Sequence, residues 1–386
     1  MTYIKHDSPL ITIMRDFRRD IHAHPELAFK EIRTAEKVTS LLREMQLDSI
    51  HENLAVTGVV GVLKGQNPDS RHIGLRADMD ALPMHEQNNC AHRSTYDGKM
   101  HACGHDGHTT MLLTAATWLS QNRNFEGTLY FIFQPAEENE GGAKVMVEDE
   151  KFFDQFPIQA TYGMHNWPGI AAGKFAVHSG PVMAAMDTFN IHVKGTGGHG
   201  GIPNLSNDPI AASAQLITSL QTIISRNISP VESGVVSVTQ ITGGDSYNII
   251  PNNVILKGTV RSFSKEVQQH IIERMEQICQ GIGVSFNMDV QLNYTKCFPA
   301  TINHKDNAQK CVTAAASIVG DTSVYTDLPP SMGAEDFAYF IIEKPGAYIW
   351  IGNGHQSNSL HNPEYDFNDE IIAFGANYWI ELAHTA

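Results

Sequence analysis

The sequence predicts an α/β fold in which a larger domain, built on a mixed and largely buried sheet, is interrupted by a smaller α+β domain of ferredoxin-like order. Three observations carry that prediction. Helical and extended patterns alternate through the first half; after Gly180-Pro181 the pattern becomes a clean polar/apolar alternation; from about Lys305 the α/β pattern returns. At 386 residues the chain also exceeds the size at which a single core stops growing, so two domains are expected. The expected limits are 1–183 with 298–386 for the discontinuous domain, and 184–297 for the insert.

Element by element, Thr34 to Met45 reads as an amphipathic helix, Thr57 to Leu63 and Ile73 to Ala77 as strands, Thr109 to Ser120 as a helix and Thr128 to Gln134 as a strand. Such alternation implies a layered fold with a covered sheet. In the insert, Phe189, Ile191 and Val193 alternate with polar residues from Asp187 to Lys194, which suits a strand with one wet face. A helix from Pro209 to Arg226, strands Val235 to Thr242 and Val254 to Phe263, a helix Lys265 to Gln280 and a strand Ser285 to Tyr294 complete a β-α-β-β-α-β order, hence an open antiparallel sheet. The C-terminal part reads as helices Asp306 to Val319 and Ala334 to Ile342, a strand Ala347 to Ile351 and a helix Glu370 to His384.

Composition narrows the function. Hydrophobic residues at 42% and charged residues at 18% describe a globular chain, and 27 Lys and Arg against 42 Asp and Glu leave a net charge of −15. With no basic run longer than Arg18-Arg19, nucleic acid is not an expected partner. The first twenty residues lack the apolar core of a signal peptide, and no stretch approaches the roughly 20 apolar residues of a membrane span. Five scattered cysteines, Cys90, Cys103, Cys279, Cys297 and Cys311, point to a reducing cytoplasm rather than a disulfide framework.

Histidine is abundant, at 19 residues, so position decides its meaning. Five polar blocks stand at strand or helix ends, where open α/β sheets build their sites: Arg76 to Pro83 (RADMDALP), His101 to His108 (HACGHDGH), Gln134 to Glu138 (QPAEE), Met164 to Pro168 (MHNWP) and Leu360 to Pro363 (LHNP). Cys103, His105, Glu138, His165 and His361 offer sulfur, nitrogen and oxygen donors, a set that suits zinc and its first-row neighbours rather than calcium or magnesium. Five donors exceed the needs of one tetrahedral ion and would serve two ions roughly 3.5 to 4 Å apart. Asp78 and Asp80 suit either the cap of a turn or acceptors that orient metal-binding histidines. The Glu137-Glu138 pair also suits a solvated cap before Gly141-Gly142. Gly195 to Gly200 (GTGGHG) matches a dinucleotide fingerprint in form, but no helix opens on those glycines, so the segment reads as a loop presenting His199, or as a tight turn with a bystander histidine. No G-x-S-x-G elbow is present.

The succession RADMDALP, HACGHDGH, QPAEE, GMHNWP, GTGGHGG, NIIPNNVILKGTVRSF, MGAEDF and SLHNPEY resembles the dimetal aminoacylase and carboxypeptidase family, in particular its hippurate hydrolase and indole-acetyl-amino-acid hydrolase branch, over nearly the whole chain. The resemblance implies a catalytic domain interrupted by a lid or dimerisation domain, and two divalent ions, zinc or manganese or else nickel or cobalt, with Cys103 bridging them. The assignment of the remaining ligands to one ion or the other stays open. It further implies Glu137 as general base and His199 as an oxyanion donor reaching a neighbouring subunit's site, in a homodimer or larger homo-oligomer. The substrate implied is a small N-acyl amino acid, with a dipeptidase or carboxypeptidase of the same fold as the alternative. Arg261 is the candidate clamp for the substrate α-carboxylate and Asn248 a polar contact beside it; Arg261 also suits an ordinary surface arginine.

Overall fold

From Thr128 to Gln134 every residue is buried, which a strand can sustain only with both faces covered. This strand lies third in an eight-stranded sheet whose order is Ser49–Leu54, Gly58–Lys64, Thr128–Gln134, His72–Asp78, Ala160–Pro168, Gly346–Gly354, Phe175–Ala176 and Val324–Tyr325. The computed structural model describes residues 3–138 and 140–386. Thr128–Gln134, His72–Asp78, Ala160–Pro168 and Gly346–Gly354 run parallel, and the first two strands are antiparallel additions, so the sheet is mixed. Asp78 pairs with Gln134 and Arg76 with Gly163, so Asp78, Gln134 and His165 lie level at the C-terminal edge of the parallel strands.

The chain divides into two compact units. The first takes the chain to Val182, then Ile302–Pro329 and Asp336–Ala386; the second takes Met183–Thr301 and Pro330–Glu335, the latter a segment that the expected limits leave with the larger domain. In the first unit the helix His105–Gln121 is enclosed by neighbours and buries most of its length, Asp106, His108, Thr110 and Thr114 along with Met111, Leu112 and Leu113. It begins four residues before the expected Thr109, so His105 sits in its first turn. Gly104 caps it at φ +95, and a Cβ there would stand 2.1 Å from Asn166 Oδ1, so only glycine fits.

Among the elements of this unit that the sequence reading leaves out are strand Ser49–Leu54, helix Pro9–Ala23 and strand Ala160–Pro168. Helix Pro9–Ala23 opens on a Ser8 cap with proline at its start but buries Arg18 and His22 along with Ile11, Met14 and Ile21, which blurs its apolar stripe. Strand Ala160–Pro168 has the mixed composition ATYGMHNWP and owes its conformation to partners on both sides. The expected helix from Ala334 begins only at Ala338, because Asp336 is held by Arg76, Gln134 and the Ala143 N–H ahead of it.

The second unit is an antiparallel sheet in the order Gly234–Thr242, Asn253–Ser262, Ala185–Lys194, Asp289–Phe298. Helices Pro209–Thr222 and Lys265–Phe286 cover one face, where Phe189, Ile191 and Val193 pack with Leu216, Ile271 and Met275. The second helix runs through Phe286 instead of yielding to a strand at Ser285. Burial at Ile271, Met275, Cys279 and Gly283 keeps a four-residue period, and Asn287 ends it in the left-handed conformation. Among the described residues no helix is long and apolar enough to cross a membrane.

Candidate metal centre

Five donor side chains converge beside that C-terminal edge of the first unit. Cys103 Sγ lies 3.4 Å from His165 Nε2, and His361 Nε2 lies 3.1 Å from Glu138 Oε1. The donor atoms of Cys103, His105 and His165 fall within 4.8 Å of one another, and so do those of Cys103, Glu138 and His361. Cys103 thus belongs to both triplets. The His361 N–H donates to the Ala102 carbonyl at 2.8 Å, which ties the C-terminal loop to the cysteine loop, and His361 itself adopts φ +61.

Asp80 organises this cluster. Its Oδ1 lies 3.3 Å from His105 Nδ1 and accepts the Glu137 N–H at 3.0 Å, while Oδ2 accepts the Glu138 N–H at 2.9 Å. With Nδ1 directed to Asp80, His105 Nε2 is buried without a hydrogen-bond partner, 4.0 Å from Glu138 Oε1. A buried, unpartnered imidazole nitrogen among a thiol and carboxylates is what a soft-to-borderline divalent cation would satisfy. His165 Nδ1 lies 2.6 Å from the Asn166 carbonyl, an arrangement that points the proton there and leaves the Nε2 lone pair facing the cluster.

Electrostatics agree with a cation site. Burial opposes protonation of His105, but Asp78, Asp80 and Glu138 outweigh it and raise its pKa to about 10. Burial pushes the Cys103 thiol well up, and Glu138, Glu137 and Asp78 push it further. Burial and the neighbouring His108 hold His165 neutral, with a pKa well below the usual histidine value. The cluster therefore collects a proton where a divalent ion would deprotonate the thiol and take the imidazole lone pairs.

Asp78 lies behind this layer. It accepts from Arg76 Nη1 at 2.7 Å and sits 2.6 Å from His108 Nδ1, so within the HACGHDGH block it orients His108. Burial disfavours its ionised form, but His105, His108 and Arg76 prevail and hold the carboxyl well below the usual carboxylate range. His108 Nε2 is 2.7 Å from Asn166 Oδ1, and Asn166 donates to the Tyr365 hydroxyl at 2.6 Å. His108, Asn166 and Tyr365 were not singled out from sequence. Glu137 is buried, and its Oε1 accepts the Asp336 N–H at 3.4 Å.

The remaining candidates belong to the second unit. His199 is exposed on a two-residue strand paired with Ile249–Ile250, and its Nδ1 accepts the Gly201 N–H at 3.0 Å, which places the proton of the neutral ring on Nε2. Asn248 immediately precedes the Ile249–Ile250 strand of that pair: its carbonyl accepts the Gly200 N–H at 2.8 Å and its Oδ1 accepts from Ser246 at 2.8 Å. Arg261 lies on Asn253–Ser262, on the face turned away from the helices, with Nη1 donating to the Val260 carbonyl at 3.0 Å and to Thr259 Oγ1.

Comparison with known proteins agrees with this class of site. Residues 74–385 match the model of peptidase family M20/M25/M40, and the chain belongs to that family. It is 39% identical over 379 residues to an N-acetylcysteine deacetylase of Bacillus subtilis, covering 98% of this chain and 97% of that protein. With a hippurate hydrolase of Campylobacter jejuni the identity is 41% over 366 residues, covering 95% and 94%. A Bacillus subtilis crystal structure described as a dinuclear metal binding peptidase from the M20 family superposes with a TM-score of 0.86, at 36% identity and 98% coverage of each chain.

Proposed function

We propose that this protein hydrolyses the amide bond of N-acyl amino acids, releasing a carboxylic acid and a free amino acid, with two divalent metal ions held by Cys103, His105, Glu138, His165 and His361. The observation that carries the reading is the pair of donor triplets sharing Cys103, with the buried carboxylate of Glu137 next in the chain to Glu138. The N-acyl amino acid class follows from the relatives named above. Zinc or manganese suits the donor chemistry, and the free cysteines suit a cytoplasmic setting.

When bound, the ions supply Lewis acidity toward the amide carbonyl and lower the pKa of water in the site. Glu137 takes a proton from the attacking water at its carboxylate and delivers it to the departing amine nitrogen, so that a C–O bond forms as the C–N bond breaks. His199, protonated on Nε2, donates to the oxygen that gains charge, in the site of a neighbouring subunit of a homodimer or larger oligomer. Arg261 takes the substrate α-carboxylate, and Asn248 gives the substrate a polar contact beside it.

The test combines metal analysis with a substrate panel of N-benzoyl and N-acetyl amino acids and dipeptides. Two ions per chain and turnover of the acylated substrates are expected. Full activity after complete chelation would overturn the metal reading, and turnover confined to dipeptides would replace the substrate class.

A further inference from the structure

Three consecutive backbone N–H groups in the turn that carries Glu137 and Glu138 are taken by two buried carboxylates. Asp80 accepts from Glu137 and Glu138. The third group, the Ala136 N–H, donates to Glu31 Oε1 at 2.9 Å. Glu31 is fully buried and lies before residue 74, outside the stretch that matches the family model. Its Oε1 also accepts the Phe29 N–H at 3.1 Å, and its Oε2 accepts the Thr57 hydroxyl at 2.6 Å.

Ala136 stands at φ +55, a left-handed conformation that alanine rarely adopts and that persists only where the surroundings over-determine it. The Glu31 bond holds its N–H, and the Gly142 N–H holds its carbonyl at 2.8 Å. The reversal at Ala136 is what lets successive N–H groups converge on one side as an anion-binding concavity, in place of the alternation of a strand. If the Glu31 acceptor is lost, a buried N–H is left unpaired and the left-handed residue loses a constraint. The peptide plane between Pro135 and Ala136, which carries that N–H, then keeps, among the described residues, only the Gln134 Nε2 contact to the Pro135 carbonyl at 3.3 Å, and the turn leading into Glu137 is loosened.

We infer that Glu31 is a positioning residue for the amide hydrolysis proposed above: by accepting the Ala136 N–H it keeps the left-handed turn that aims Glu137. The inference rests on that functional reading, and its test includes a measurement independent of activity. Misplacement of a reacting group by about 1 Å costs on the order of 100-fold in rate, so Glu31→Met, which keeps volume and removes both acceptors, is expected to lower kcat by roughly 10- to 100-fold. KM and metal content are expected to stay close to wild type. Glu31→Gln still presents Oε1 to Phe29 and Ala136 while its amide faces the Thr57 hydroxyl, so it is expected to restore near-wild-type kcat.

Hydrogen exchange of the peptide spanning residues 134–140 supplies the second readout: faster in Glu31→Met, unchanged in Glu31→Gln. Should Glu31→Met fail to fold, Glu31→Asp, which withdraws the oxygens by one methylene, is expected to lower kcat and speed exchange in the same peptide. Wild-type kcat in the Met or Asp variant, a loss of kcat shared by Glu31→Gln, or a loss of kcat without faster exchange would each overturn the inference. If the unmodified protein cleaves none of the acylated substrates, the functional reading fails by itself; unchanged exchange in the Met or Asp variant would show separately that Glu31 does not hold the turn.

Discussion

Oδ1 of Asp80 stands 3.3 Å from Nδ1 of His105 while the same carboxylate holds the Glu137 and Glu138 N–H groups. One buried side chain thus fixes an imidazole donor, a carboxylate donor and the proposed base against one another. Such orienting partners influence a metal site nearly as strongly as its ligands.

Asp80→Asn is therefore expected to weaken metal binding by roughly 10- to 100-fold, because an amide NH2 would face an N–H donor in the Glu137-Glu138 turn. Competition against a chelator of known affinity measures it. Unchanged affinity would mean that Asp80 does not orient the metal-binding side chains.

Glu137→Gln preserves shape and the backbone contacts to Asp80, so both ions should stay bound. The loss falls on proton transfer, and kcat is expected to drop by about 100- to 10,000-fold. Metal analysis and steady-state kinetics on the same preparation decide the matter. A variant that keeps near-normal turnover would transfer the base function elsewhere, and one that loses metal would make Glu137 a ligand.

The donor set was legible in the sequence because it combines residue types rarely placed together, Cys103 with His105 and paired glutamates after an apolar strand. What could not be read was the layer behind it. Glu31 sits at the start of an amphipathic helix, and nothing in its neighbours reveals that its side chain turns inward toward Ala136, more than a hundred residues away. Asn166 and Tyr365 meet only because the strand and the C-terminal loop converge. Likewise, the sheet was foreseeable from the apolar runs at Val59 to Leu63 and Thr128 to Gln134, whereas Ala160–Pro168 became a central strand through its neighbours rather than its own residues. Helix Pro9–Ala23 was obscured by the two charged-type residues it buries, Arg18 and His22.

His199 supplies a test of the proposed sharing of sites between subunits. His199→Ala is expected to lower kcat by about 100- to 1,000-fold, the usual cost of removing one oxyanion donor, with metal content unchanged. Mixing it with Glu137→Gln under conditions that exchange subunits should regenerate sites with both groups intact. Activity that stays at the level of the separate variants would confine His199 to its own chain or remove it from the chemistry.

A last prediction concerns stability and pH through His22, which has no part in the proposed chemistry. Its ring nitrogens lie 2.9 Å from Asp106 Oδ2 and 3.3 Å from Glu86 Oε1, and Arg18 crosses beside them to Asp106 and Asp366. Burial opposes its charge and Arg18 adds to that, but Asp106 and Glu86 prevail and raise its pKa from 6.5 to about 9. The folded state therefore holds this proton more tightly than the unfolded chain. Its contribution is complete below about pH 6.5 and is lost as pH rises through about 9; a shift of this size corresponds to about 3 kcal/mol at most. Thermal unfolding of the unmodified protein and of His22→Gln between pH 6 and 10 should show midpoints that differ most at the acid end and converge towards the alkaline end. A difference that is constant across that range would mean that His22 acts through packing and neutral hydrogen bonds, and that the charge on its ring adds nothing to the fold.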